Sequence, residues 1–176
     1  MDERDSVPAA TIPRDKAIVV RTPKPADAKE ISRLVRESGT LDINSDYAYL
    51  LVCHHFNQTS VVAEFDGHLV GFVVAYCPPH VSATVFVWQV AVSSDVRGQR
   101  LGSRMLDDLI QRGQESGNRF LEATVTPSNV ASRALFESLA RRHDVNCKVS
   151  PLFPAEMFSD EGDHEAEDLF RIGPFF

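Results

Sequence analysis

Apolar residues recur along this chain in two alternating rhythms, every third or fourth residue and every second. Ile18 to Arg21 reads as a short strand. Pro25-Ala26-Asp27 then opens a helix carrying Ile31, Leu34 and Val35 at helical spacing, and Gly39 ends it. Asp42 to Phe56 is a second helical stretch, read with Tyr47, Leu50, Leu51 and Phe56 on one side. Ser60 to Glu64 and Leu69 to Tyr76 are rich in β-branched and aromatic residues, and Asp66-Gly67 between them signals a hairpin. Pro78-Pro79 stops the second of these strands, and Thr84 to Val92 is a third long β run. Leu101 to Arg112 is amphipathic and helical, closing near Gly117, and Phe120 to Thr126 reads as a buried strand. Ser128 to Arg142 is another helix, with Ser128 or Asn129 as its N-cap. Asn146 to Val149 and Leu169 to Ile172 are late strands.

The resulting order is β-α-α-β-β-β-α-β-α-β-β. The central strand–turn–helix–strand unit is a crossover, which joins parallel strands, whereas the hairpin before it is antiparallel. The expected class is therefore α/β (α+β): a mixed, mostly antiparallel twisted sheet with helices on both faces. Residues 1–16 carry no apolar period and read as a disordered leader, with one domain over 17–176. A chain of 176 residues suits one domain with a single core.

Composition narrows the function a little. The formal net charge of −7 repels nucleic acid and anionic lipid and favours cationic partners. No apolar run approaches a membrane span of about 20 residues, and the charged start has no apolar segment of the kind that directs secretion. Cys53, Cys77 and Cys147 are few, odd in number and widely spaced. That argues against a disulfide framework or a zinc site and for a reducing cytoplasm. His164-x-x-Glu167 is not a zinc-binding HExxH motif, and no metal is expected. The neighbours His54-His55 read as helix-surface residues, and the cysteines as packing residues.

The chemistry-bearing stretch runs from Val90-Ala91-Val92 through Arg97-Gly98-Gln99-Arg100-Leu101-Gly102. A strand ends, a glycine-containing turn follows and a helix starts. Such a turn aims several backbone N–H groups at one spot beside a helix N-terminus, which suits a pyrophosphate. By residue type alone it is also a common strand-to-helix turn.

Here the chain resembles the GCN5-related N-acetyltransferase (GNAT) family, whose pattern Q/R-x-x-G-x-G/A follows a strand ending in Val-x-Val. Arg97 and Gly102 fill its first and last positions, while Arg100 stands where the middle glycine falls. The resemblance implies the GNAT fold and acetyl-CoA as co-substrate. It implies that the amides of Arg97, Gly98, Gln99, Arg100, Leu101 and Gly102 hold the pyrophosphate. The Val90–Val92 strand pairs with the pantetheine arm, and an amide near Val90 polarises the thioester carbonyl. By resemblance Asn129 contacts the cofactor, although its residue type fits a plain helix cap equally well. Many family members have a tyrosine where Phe136 stands and use it to protonate the leaving thiolate; phenylalanine has no proton to give.

Further pieces are similar to the diaminobutyrate acetyltransferases of ectoine biosynthesis. They are Leu41-Asp42-Ile43-Asn44-Ser45 with Tyr47, Tyr49 and Leu50-Leu51; Phe86-Val87-Trp88-Gln89; Thr124-Val125-Thr126-Pro127-Ser128-Asn129; Ser150-Pro151-Leu152-Phe153-Pro154; and His164-Glu165 leading to Leu169-Phe170-Arg171-Ile172-Gly173-Pro174-Phe175. The resemblance spans about Val19 to Phe176 and implies acetylation of L-2,4-diaminobutyrate on its side-chain amine. It also suggests a homodimer. It implies a substrate pocket of Asp42, Tyr47, Trp88, His164 and Glu167, with catalytic candidates Glu167, His164 and Tyr47. Each has a plainer reading: Asp42 as a helix cap, Tyr47 and Trp88 as core aromatics, His164 and Glu167 in a solvated acidic loop over Ser159 to Asp168. The amine attacks the thioester directly, so no nucleophilic side chain is required. Two alternatives stay open. One is the same fold serving another diamine, amino acid or aminoglycoside. The other is an acyl-CoA-binding module without catalysis, suggested by Arg100 and Phe136.

Overall fold

The computed structural model describes residues 17–158 and 164–176. The proposed leader over 1–16 and part of the acidic segment, 159–163, lie outside them. The strands are β1 (Val19–Arg21), β2 (Val61–Phe65), β3 (His68–Tyr76), β4 (Thr84–Val92), β5 (Phe120–Val125), β6 (Asn146–Phe153) and β7 (Glu167–Gly173). The helices are α1 (Ala28–Ser38), α2 (Asp46–His55), α3 (Leu101–Glu115) and α4 (Val130–Arg142). The described residues form one seven-stranded sheet in the order β1-β2-β3-β4-β5-β7-β6. Only the β4–β5 pair is parallel, and α3 is its crossover. None of the described helices is long and apolar enough to cross a membrane.

Local chemistry accounts for most boundaries. Asp66 and Gly67 both adopt positive φ, 51° and 82°, between the paired residues Phe65 and His68. Two successive left-handed residues match the right-handed twist of the flanking strands. Gly39, at φ 65°, terminates α1 in the left-handed conformation that glycine takes without a steric penalty. Two strands outrun their expected ends. β6 continues through Pro151 to Phe153; proline is tolerated there because β6 lies at the sheet edge, where a missing N–H breaks no inner ladder. β7 begins at Glu167 rather than Leu169.

The second helix corrects the sequence reading twice. It starts at Asp46, capped by the Ser45 hydroxyl accepting from Ala48 N, so Asp42 is not its cap. Its buried face is Tyr49, Val52 and Cys53, spaced i, i+3, i+4, while Tyr47, Leu50 and Phe56 are exposed. The stretch is apolar on nearly every side, so periodicity could not choose the inward face.

Two cores sandwich the sheet. One packs α1 and α2 against Val62, Leu69, Phe72 and Val74. The other packs α3 and α4 against the opposite face, around Leu106, Leu109, Phe136, Leu139 and Phe170. Each fully buried Leu or Phe contributes about 1.5–3 kcal/mol, so these two layers dominate the stability of the sheet.

The feature that positions the site is a bulge in β4. Val74 pairs with Gln89 and Ala75 with Val87, which leaves Trp88 as an extra residue. Val85 and Val87 face the α3/α4 core; beyond the bulge Val90 and Val92 face it, and Ala91 packs on the other side. The parallel β4–β5 ladder ends at the same place, with Val87 opposite Ala123. β5 continues paired to β7 as far as Val125 opposite Asp168, so the far halves of β4 and β5 diverge and a wedge opens between them.

Candidate active site

Two connected hollows occupy this wedge. The first, of about 410 Å³, is lined by Asp42, Trp88, Phe136, His164 and Glu167 among others. The second, of about 440 Å³, runs along Val90–Val92 past Arg97 and Gly102 to the start of α4.

The second hollow is built from backbone. Arg104 N is the first amide of α3 to close a helical bond, to Arg100 O at 3.0 Å. Among the described residues the amides of Gly98 through Ser103 have no partner within the protein. They form a cluster of free donors at a helix N-terminus, which fits an anionic pyrophosphate. Gly98 has φ 78° and Arg100 has φ 54°, so the turn needs left-handed residues at both points. The departure from glycine at Arg100 therefore changes the local strain, by about 1–2 kcal/mol, and not the path of the chain. Gly102 lines this hollow, and a Cβ there would make ordinary contact with Leu135 at 3.6 Å. Asn129 is the cap of α4 and stands beside both hollows. Its Oδ1 accepts from Ser132 N at 3.1 Å.

The first hollow is built from side chains. Among the described residues its ionisable lining is Asp42, His164 and Glu167, with no lysine or arginine. Glu167 is the least satisfied of these. Among the described residues its Oε2 is buried without a hydrogen-bond partner, and its Oε1 lies 4.0 Å from His164 Nε2. Burial raises its pKa above the usual glutamate value, partly offset by the Thr124 hydroxyl and the nearby His164. His164 is held firmly. Its ring stacks on Phe158 with centroids 3.7 Å apart, and Nδ1 lies 2.7 Å from the Glu165 carbonyl. With Nδ1 directed at the Glu165 carbonyl, Nε2 is the nitrogen that faces Glu167, an acceptor in the neutral ring and a donor in the protonated one. The Glu165 carboxylate in turn accepts from the Ser128 amide at 3.2 Å and from the Ser128 hydroxyl, which clasps this segment to the start of α4.

Asp42 is fixed by its own backbone. Gln89 Nε2 donates to Asp42 O at 2.9 Å, and Tyr49 donates its hydroxyl to Gln89 Oε1 at 3.1 Å. Gln89 reaches that side of the sheet because the bulge at Trp88 turns it there. Sequence reasoning missed Gln89, Tyr49 and Phe158 as supports. A lone glutamine inside the run Thr84–Val92 was the available signal, since a buried amide requires partners.

The structure brings Asp42, Trp88, His164 and Glu167 to one hollow, and Val90, Val92, Arg97, Gly102 and Asn129 to the other. It does not bring Tyr47 to either. Tyr47 is 67% exposed on α2, two residues and about half a turn from the buried Tyr49. Trp88 is 43% exposed at the mouth and is not a core aromatic. Leu101 contributes only its amide, since its side chain is core. His54 and His55 lie exposed on the end of α2. Cys53 is buried, which pushes its thiol up to about 12, and Cys147 is half-buried and also raised by burial. Cys77, expected as a packing residue, is instead exposed and accepts from Asn118 Nδ2 at 3.3 Å.

A splayed sheet with a donor-lined helix start beside the split defines a class of acyl-CoA-dependent transferase. The acetyltransferase (GNAT) family model matches residues 28–140, and the chain belongs to that family. The L-2,4-diaminobutyric acid acetyltransferase of Halalkalibacterium halodurans is 46% identical over 160 residues, covering 91% of this chain and 84% of that protein. The enzyme of that name from Marinococcus halophilus is 46% identical over 159 residues, covering 90% and 91%. The diaminobutyrate acetyltransferase EctA from Paenibacillus lautus has been solved in complex with L-2,4-diaminobutyric acid and coenzyme A. It superposes with a TM-score of 0.87 at 43% identity, over 92% of this chain and 97% of that one. Within the family these relatives place the chain among the diaminobutyrate acetyltransferases. Ard1 from Thermoplasma volcanium, 18% identical with a TM-score of 0.74, shares the fold.

Proposed function

We propose that this protein transfers acetyl from acetyl-CoA to the side-chain (N4) amine of L-2,4-diaminobutyrate, giving N4-acetyl-L-2,4-diaminobutyrate for ectoine biosynthesis. The observation that carries the reading is the buried Oε2 of Glu167, without a hydrogen-bond partner among the described residues, in a hollow whose described ionisable lining is Asp42, His164 and Glu167. A carboxylate oxygen buried without a partner carries a desolvation cost, and an ammonium ion placed against it offsets that cost. The relatives bearing this name, and the solved one holding diaminobutyric acid and coenzyme A, support the same substrate pair.

The roles follow from chemistry. Free amides at Gly98 to Ser103 bind the pyrophosphate, and the unpaired edge of Trp88–Val92 aligns the pantetheine arm. Glu167 orients the ammonium and accepts its proton, directly or through a water. An amine of pKa near ~10 and an ordinary glutamate near ~4.3 are mismatched by roughly 8 kcal/mol. Each unit by which burial raises Glu167 removes about 1.4 kcal/mol of that gap. His164 Nε2 and Asp42 complete the acceptor set, and Trp88 offers an aromatic face to the cation. The freed amine attacks the thioester directly, with no covalent enzyme intermediate. Holding the α-amine and carboxylate at the mouth keeps the α-amine from the thioester.

We also assign the protein to the cytoplasm, where acetyl-CoA is made and thiols stay reduced. A homodimer fits the exposed Val149, Leu152 and Phe153 of the edge strand β6. Thiol release from acetyl-CoA with diaminobutyrate, followed by NMR of the product, tests the reaction. The expected product carries acetyl on N4; acetylation mainly on the α-amine refutes the orientation, and no thiol release refutes the activity. Sedimentation gives the oligomeric state.

A further inference from the structure

Acetyl transfer must remove two protons from the substrate nitrogen and put one on sulfur. Glu167 accounts for the first removal, from the ammonium. After attack, the nitrogen of the tetrahedral adduct carries a second proton to lose, and the departing thiolate, whose thiol has a pKa near ~8.5, gains one on the way out. A group that accepts from nitrogen while donating to sulfur couples these events. It has to touch both hollows and be both donor and acceptor.

Few residues line both hollows. Leu41 and Val90 are apolar, and Asn129 commits its Oδ1 to the cap. Thr40 lies exposed on the loop after α1 and not on a regular element. Ser132 remains. It is half-buried in the first turn of α4, one turn before Phe136, whose buried ring packs on Phe170 and offers no proton. The Ser132 amide is taken by the Asn129 cap, but among the described residues its hydroxyl has no partner. A hydroxyl accepts through oxygen lone pairs and donates through its own hydrogen. Its place near the N-terminus of a 13-residue helix adds a positive partial charge beside the developing thiolate.

Resting on the acetyl-transfer reading above, we propose that the Ser132 hydroxyl is the proton relay that couples loss of the second amine proton to protonation of the coenzyme A sulfur. In that step an N–H bond of the adduct breaks and its proton passes to Ser132 Oγ. The original Oγ–H proton passes to sulfur as the C–S bond breaks, and the carbonyl re-forms as the amide. The products are the N-acetyl compound and free thiol, serine is regenerated, and the proton held by Glu167 leaves to solvent.

The test compares wild type, Ser132→Ala, Ser132→Thr and Thr40→Val in a thiol-release assay, with coenzyme A binding measured by calorimetry. Ser132→Ala is expected to lower kcat about 10²-fold, the usual size of a lost acid–base group. KM for both substrates and coenzyme A affinity should stay within about threefold, as for an interaction made only during reaction. Ser132→Thr, which keeps the hydroxyl, should recover at least a tenth of wild-type kcat. Unchanged kcat in Ser132→Ala, a loss confined to KM, or a loss in Thr40→Val that Ser132→Ala does not show overturns the proposal. A wild-type protein that releases no thiol overturns the acetyl-transfer reading and this relay with it, and is told apart because it precedes any mutation.

Discussion

The two hollows of the wedge make opposite use of the chain. The hollow proposed for the cofactor takes contiguous residues, Val90 to Gly102, and offers backbone amides that any side chain can present. The hollow proposed for the amine gathers Asp42, Trp88, His164 and Glu167 from segments up to 125 residues apart and offers their side-chain chemistry. A backbone site tolerates Arg100 where a glycine was expected, provided the residue accepts φ 54°. A side-chain site has no such tolerance: removing one carboxylate changes what it does.

The sharpest way to break this contrast is to put a charge into the backbone site. Gly102→Glu should lower acetyl-CoA affinity by about 10³-fold. A carboxylate about 4 Å from a pyrophosphate charge opposes binding by roughly 4 kcal/mol at the effective dielectric of a protein surface. The fold should survive, because a Cβ at this position makes only ordinary contact with Leu135. Calorimetric titration with a parallel melting curve decides it, and normal affinity in a folded variant would move the pyrophosphate elsewhere.

On the side-chain site, Glu167→Gln keeps size and hydrogen bonding but takes no proton. It should cost about 10²-fold in kcat, with partial recovery at high pH, where free amine is abundant. Because burial raises the Glu167 pKa, the acidic limb of wild-type kcat/KM should lie above the ordinary glutamate value of about 4.3. Bound ammonium favours the carboxylate, so the limb of kcat should fall lower. An intact kcat with a changed KM would make Glu167 a binding residue. Asp42→Asn is milder. It removes a charge but leaves the carbonyl that Gln89 grips, so KM for diaminobutyrate should rise about tenfold with kcat nearly kept.

The smallest effect concerns stability. A carboxylate whose folded pKa is raised binds protons more tightly folded than unfolded, so stability declines as pH climbs through the window between the two values. The penalty is complete above the folded pKa and absent below the unfolded one. Glu167→Gln should therefore melt higher than wild type at neutral pH, at about 2–4 °C per kcal/mol relieved, and converge with it below pH 4. A variant less stable at pH 7 would show that the carboxylate is structurally satisfied.

These regions also differed in how far the sequence disclosed them. The element order was legible because each element carries its own punctuation: Asp66-Gly67, Gly39, the Asn129 cap. The turn before α3 was legible as a glycine-containing strand-to-helix turn, and its cofactor reading came from the family resemblance. On the amine side, Asp42, Trp88, His164 and Glu167 came from family resemblance, since nothing local distinguishes Asp42 from a cap or Glu167 from a solvated acid. Tyr47 shows the limit. Where a helix is apolar on nearly every side, which tyrosine turns inward depends on the partner surface, here the cluster that includes Val62 and Phe72 of the sheet, and Tyr49 is the one buried in it. The supports Gln89 and Phe158 depend on a register shift and on a stacking contact, both long-range.

The extra residue at Trp88 also bears on how this protein can change over generations. Because a strand alternates sides with each residue, the chain beyond Trp88 is in odd step with the chain before it. Deleting or adding one residue there would exchange the inhabitants of the two faces at once, sending Val90 and Val92 away from the α3/α4 core and Gln89 away from Tyr49. The length of β4 is thus locked in parity. New substrate preferences must arise by substituting side chains around the wedge, or by lengthening the loops before α2 and β7, while the strand between them keeps its count.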